Sequence, residues 1–138
     1  MKQIIDMRFI RYLNLFSKIT GVESKNCFFY NNFLIFSIPN NLISRAIGKH
    51  GKNVKELSGI INKRIKIIAL PESMDETERF ISEIISPIQF KNLEITQDEV
   101  IIYASRQSKA AIIGRNKVRL MELKKIIEEH FGKKLRIQ

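Results

Sequence analysis

The stretch "AIGKHGKNVKEL" at residues 46–57 sets Gly48 and Gly51 three positions apart, with Lys49 and His50 between them, in a segment whose apolar spacing otherwise reads as helix. A glycine inside a helix costs about 1 kcal/mol relative to alanine, so helical stability does not explain the pair. The spacing predicts two helices meeting at a four-residue loop, with the N-terminus of the second helix brought to the surface at the glycines. Such an end carries unpaired N–H groups and partial positive charge, which makes it an anion site. Lacking Cβ atoms, the glycines let a phosphodiester backbone approach the peptide, and Lys49, His50 and Lys52 supply charge or hydrogen-bond donors beside it. A turn that binds nothing would account for the glycines but not for the basic residues around them.

The same pattern occurs twice. Placing "IGKHGKNVKELSGII" (47–61) over "IGRNKVRLMELKKII" (113–127) without gaps pairs residues 66 positions apart. Gly48 meets Gly114, Lys49 meets Arg115, Val54 meets Leu120, Glu56 meets Glu122, Leu57 meets Leu123 and Ile61 meets Ile127. The apolar residues recur at spacings of three and four in both copies, one face of a helix. An internal duplication implies two similar units of about 65–70 residues. The second glycine is not repeated: Lys117 stands where the first copy has Gly51. Its Cβ would hinder close backbone approach, whereas its charge would assist an anion, and the sequence leaves both outcomes open.

Reading outward from the first loop completes the unit. Asp6 can cap a helix carrying Phe9, Tyr12, Leu13, Phe16 and Ile19 on one side and ending near Gly21. In "CFFYNNFLIFSIP" two apolar β runs are joined at Asn31 and Asn32, residues that tolerate the positive φ of a tight turn. Their aromatics, Phe28, Phe29, Tyr30, Phe33 and Phe36, are read as core rather than as a stacking platform for bases. A short helix "NLISRAI" leads into the loop, a longer one follows to about Asn62, and "KRIKIIAL" alternates as a strand before Pro71.

The second unit repeats this order, helix, strand, strand, helix, helix, strand. Its first helix begins with Asp75 and Glu78 in capping-box spacing, and its last helix runs about four residues further than its counterpart before "KLRIQ" closes the unit. The fold class expected is α+β, with domains at 1–72 and 73–138, each packing helices on a three-stranded sheet.

Charge is partitioned along the 138-residue chain. The net charge of +10 divides into +3 for residues 1–40, +6 for 41–70, −6 for 71–105 and +7 for 106–138. Both positive blocks that exceed +5 contain a glycine loop, which points to a polyanionic partner. Cys27 is the single cysteine, so no internal disulfide forms, and two histidines leave few ligands for zinc. Cys27 is read as a small buried hydrophobe, and His130, beside Phe131, as a capping or surface residue. The N-terminal "MKQIIDMRFIRYLNLF" is interrupted by Asp6, Arg8 and Arg11, matching neither a secretory signal nor a membrane span. A cytoplasmic location is expected. A nucleotide-binding P-loop needs four residues between its glycines and Ser or Thr after its lysine; here there are two, then Asn53. With no Ser/His/Asp set, HExxH, paired carboxylates or cysteine cluster, the expectation is a protein without catalytic activity, cofactor or small-molecule substrate.

A helix–GxxG–helix inside such a unit resembles the K-homology (KH) domain of the prokaryotic type, type II, whose loop clamps about four nucleotides of single-stranded nucleic acid. Two units in tandem, with "RYLNLFSKITG" and "CFFYNN" ahead of the first loop and "HFGKKLRIQ" at the end, look like the short archaeal form of the NusA transcription factors, over essentially the whole chain. The resemblance implies single-stranded RNA as ligand, RNA polymerase as partner, no membrane association, and a role in transcription elongation, pausing, termination or antitermination. In the first loop it points to Gly48, Lys49, His50, Gly51 and Lys52 as RNA-binding. Asn53 and Lys55 follow on the helix, and Ile47 and Val54 would pack in the core while flooring the site for bases. In the second loop the counterparts are Gly114, Arg115, Asn116, Lys117 and Arg119. A ribosome-associated or RNA-processing KH protein, or a KH module that docks on protein, is the alternative.

Overall fold

The computed structural model describes residues 7–138. Helix α1 spans Met7–Thr20, strands β1 and β2 Asn26–Tyr30 and Phe33–Ile38, helices α2 and α3 Ile43–Ile47 and Lys52–Ile61, and strand β3 Arg64–Ala69. The order then repeats as α4 (Thr77–Ile85), β4 (Asn92–Ile95), β5 (Glu99–Tyr103), α5 (Arg106–Ile113), α6 (Val118–Phe131) and β6 (Lys134–Ile137). Six α-helices and two three-stranded sheets among the described residues make an α+β fold compatible with two tandem KH-like units. Asp6, expected to cap α1, lies outside the described residues.

The two sheets are built alike. β1 and β2 are antiparallel and β3 joins β2 in parallel; β4, β5 and β6 repeat that arrangement. Asn31 and Asn32 both take positive φ, 52° and 65°, the backbone of the two-residue hairpin turn that matches strand twist. Central strand β2 is buried on both faces from Leu34 to Ile38, which is why it reads as a continuous apolar run.

In the first unit Tyr12 and Phe16 of α1, Leu34 and Phe36 of β2, Ala46 of α2, Leu57 of α3 and Ile65 of β3 form one core. Phe16 stacks on Phe36 with ring centroids 4.4 Å apart. Burying a large apolar side chain contributes about 1.5–3 kcal/mol; Ala46 and Leu57 are the fully buried residues of α2 and α3, which flank the loop, with Ile43, Val54 and Ile61 packed beside them. Cys27 is half-buried against this core, its Sγ 3.9 Å from the Phe9 carbonyl. On the opposite sheet face Phe28 meets Phe80 of α4 edge-on, centroids 6.2 Å apart. The chain divides into two compact units between Phe80 and Ile81, inside α4, because Phe80 packs on the first sheet.

The second unit buries Ile81, Ile84 and Ile85 of α4, Val100 and Ile102 of β5, Ile112 of α5, Leu123, Ile126 and Ile127 of α6, and Leu135 of β6. α6 has 14 residues against 10 in α3, the difference expected from the sequence. Two local readings need correction. Asp75 falls within a 3-10 turn at Met74–Glu76 and does not cap α4, which begins at Thr77; the Glu76 carboxylate accepts from the Glu72 N–H at 2.9 Å and tightens this turn. His130 does not cap the end of α6. It is half-buried, and its Nδ1 lies 2.9 Å from the Ile126 carbonyl one turn back.

Candidate nucleic-acid interface

The first loop is assembled around three positive-φ residues, Gly48, His50 and Gly51. α2 stops at Gly48 (φ 80°, ψ 168°), whose N–H still donates to Ser44 at 3.1 Å. A single 3-10 turn follows, with His50 left-handed (φ 57°, ψ 27°) and Gly51 left-handed (φ 71°, ψ 21°), closed by the Gly51 N–H donating to the Gly48 carbonyl at 3.1 Å. Helix α3 starts immediately afterwards at Lys52.

The second loop adopts the same path. Gly114 has φ 73° and ψ 173°, Asn116 φ 57° and ψ 23°, and Lys117 φ 60° and ψ 21°. The Lys117 N–H closes the turn on the Gly114 carbonyl at 3.2 Å. Lys117 therefore keeps the backbone that Gly51 adopts, at a cost of about 1–2 kcal/mol for a left-handed non-glycine residue.

Each loop delivers an unprotected helix end. Neither α3 nor α6 has a side-chain hydrogen bond at its N-cap or an acidic residue in its first turn. Helix starts ordinarily carry Ser, Thr, Asp or Asn caps and early acids; here Lys52 opens α3, and Lys55 and Arg119 follow nearby. Lys49, His50, Lys52 and Lys55 are exposed in the first unit, and Arg115, Asn116 and Lys117 in the second. Among the described residues none of these cations pairs with a carboxylate.

The glycine spacing is held from below. Asn53 Nδ2 donates to the Ala46 carbonyl at 3.1 Å, tying the first turn of α3 to the end of α2. Arg119 makes the equivalent tie, Nη1 to the Ala111 carbonyl at 2.9 Å. Ile47 and Val54 are half-buried beside the first loop, Val54 packed against the core.

No protein-family model matches the chain. Three archaeal proteins, each named "Probable transcription termination protein NusA", align with it. That of Halococcus morrhuae is 24% identical over 125 residues, 88% of each chain. That of Methanocaldococcus jannaschii is 27% identical over 125 residues, 88% of this chain and 67% of its own. That of Methanococcus vannielii is 28% identical over 109 residues, 76% of this chain and 61% of its own. The chain is NusA-like. The crystal structure of APE1850 has the same fold, with a TM-score of 0.68 at 25% identity, covering 97% of this chain and 100% of its own.

In this NusA-like chain the sequence-predicted residues of each unit gather at its own loop. Asn53 and Arg119, expected as ligand contacts, have side chains that also hydrogen-bond the main chain of the preceding helix and so position the loops. Sequence reasoning missed that duty, although the offset of 66 superimposes these two long polar donors. It also missed a cation–aromatic cluster at Phe33, where Arg64 and Lys66 lie over the ring at 4.3 and 4.6 Å. The signal was present: alternation in "KRIK" puts Arg64 and Lys66 on one face of β3. Among the described residues no group of His, Cys, Asp and Glu could hold a metal ion, and no helix is long and apolar enough to cross a membrane.

Proposed function

We propose that the chain is a noncatalytic, cytoplasmic, single-stranded RNA-binding factor of transcription. In this reading it comprises two tandem type II KH domains, at 1–72 and 73–138, and holds RNA backbone at the two glycine-led loops. The observation that carries the proposal is the twice-repeated helix start with exposed cations and neither cap nor acid. That arrangement is unfavourable for the free helix and becomes favourable when a phosphate supplies the missing negative charge. The names of the archaeal relatives support a role in transcription termination; RNA polymerase is the partner that this reading proposes.

One observation favours a second reading for the second unit alone. Val118 and Met121 are 57% and 61% exposed where the first unit has Lys52 and Lys55, an apolar step beside the loop that suits protein docking.

The test is fluorescence anisotropy of labelled short single-stranded RNAs across a salt series. Log affinity falls with log salt, with a slope of about −0.7 per phosphate neutralised. Absence of binding at low salt overturns the proposal.

A further inference from the structure

Resting on the RNA-binding reading above, we infer that Arg64, stacked on Phe33, is a second phosphodiester contact for the bound RNA, outside the glycine loop. The parallel register of β2 and β3 sets Phe33 opposite Arg64. The guanidinium carbon lies 4.3 Å from the ring centroid, and Lys66 Nζ lies 4.6 Å from it. These side chains alternate with Leu34 and Ile65, which face the core, so the corner lies on the sheet face away from α1, α2 and α3. Helix α3, about 15 Å long at 1.5 Å per residue, separates it from the loop.

The duplicated unit provides an internal comparison. There Glu99 occupies the place of Phe33, in register with Lys134, and pairs with Arg136 at 3.4 Å. The second unit thus neutralises this corner with a carboxylate, and the first replaces the carboxylate with a ring. A cation–π contact orients a cation without cancelling its charge and is worth about 0.5–1 kcal/mol at an exposed site. Arg64 is exposed, and among the described residues no carboxylate pairs with it. Its guanidinium is held with N–H donors available for the oxygens of a phosphate. Burial, and next to it the charge of the neighbouring Arg64, push the Lys66 ammonium below the usual lysine range.

RNA suits the corner better than an acidic protein. A stacked guanidinium offers a donor edge for phosphate and a flat face for a base, whereas a carboxylate side chain uses the edge alone. Glu56 is the one acidic residue between Glu23 and Glu72, so loop and corner share a predominantly basic stretch.

The experiment compares a single-stranded RNA of about five nucleotides, close to what one loop holds, with one about three times as long. Arg64→Gln is expected to weaken the longer RNA roughly threefold to tenfold, lower its salt slope by about 0.7, and leave the short RNA unchanged. Phe33→Leu, which keeps the site apolar, shifts affinity in the same direction by less. Equal weakening of both RNAs would place the effect in the fold or the loop and overturn the inference. So would unchanged affinity for both, the result expected of an acidic protein partner. Lys49→Asp with His50→Asp is measured alongside: if it abolishes binding while Arg64→Gln changes nothing, the loop reading stands and the corner alone fails. If the parent binds neither RNA, both fall.

Discussion

The side-chain amide of Asn53 passes directly beneath Gly48 on its way to the Ala46 carbonyl: a Cβ built on Gly48 would stand 2.9 Å from Asn53 Nδ2 and 3.2 Å from its backbone nitrogen. Arg119 lies under Gly114 in the same way, 2.8 Å from such a Cβ at its Cγ. The first glycine of each loop is therefore required twice, by its positive φ and by the side chain below it. The second is required only by φ, since a Cβ on Gly51 meets nothing within 4 Å.

This difference ranks the glycine substitutions. Gly48→Ala is expected to destabilise by about 2 kcal/mol or more and Gly51→Ala by about 1. Lys117→Gly, which relieves a left-handed lysine, should stabilise by up to about 1 kcal/mol. Urea unfolding midpoints at constant m-value give the order; equal losses at Gly48 and Gly51 would show that Asn53 yields without resistance.

Asn53→Asp tests the tie itself. The amide donor becomes a carboxylate facing the carbonyl oxygens of Ala46 at 3.1 Å and Arg45 at 3.5 Å. Exchanging a hydrogen bond for repulsion is expected to cost about 1–3 kcal/mol and to weaken RNA binding through a loosened loop. Asn53→Ala, which loses the bond without adding repulsion, should fall between parent and Asp variant in both denaturation and binding.

The loop charges are tested without disturbing the core, because Lys49 and His50 are exposed. Replacing both by Asp should leave the circular dichroism spectrum unchanged and weaken short RNAs at least tenfold, with a shallower salt dependence. Unchanged affinity would remove the first loop from the site.

Local signals carried most of this architecture. The period of the apolar residues, the Asn31–Asn32 turn and the 66-residue offset between loops together specify the element order, because each depends on neighbours in the chain. What the sequence concealed depends on contacts between segments. That Asn53 ties α3 to α2 follows only once the two helices are brought together. Phe29 is half-buried but packs against the core beside Phe9 and Tyr12, whereas Phe33 is half-buried outside it under Arg64 and Lys66, which strand alternation alone does not specify. Asp75 matched the capping-box spacing, yet the Glu76 carboxylate reaches the Glu72 N–H and a 3-10 turn takes over.

His130 makes stability depend on pH. Burial pushes its imidazole below the ordinary histidine value of 6.5, opposed in part by the Ile126 carbonyl and by Glu129. Below 6.5 the unfolded chain binds a proton that the folded chain resists. The contribution is fully present above that value and is lost as pH falls through the folded value. Thermal melts between about pH 7.5 and pH 5.5 should show the parent losing stability more steeply than His130→Gln; parallel losses would exclude this residue as the source.

The helix start at Lys52 yields the sharpest separation of stability from function. An acid in the first turn of a helix stabilises it by about 0.3–1 kcal/mol through the macrodipole, and a cation there does the reverse. Lys52→Glu should therefore raise the urea midpoint while weakening RNA, since the carboxylate occupies electrostatically the place of the phosphate. A solvated lysine with no ligand role would give the stability gain alone. The two measurements on one variant thus decide whether the missing acid at α3 serves binding, and the first-turn substitution Val118→Glu extends the test to α6, where a gain in stability without loss of RNA would leave the second loop to the protein-docking reading.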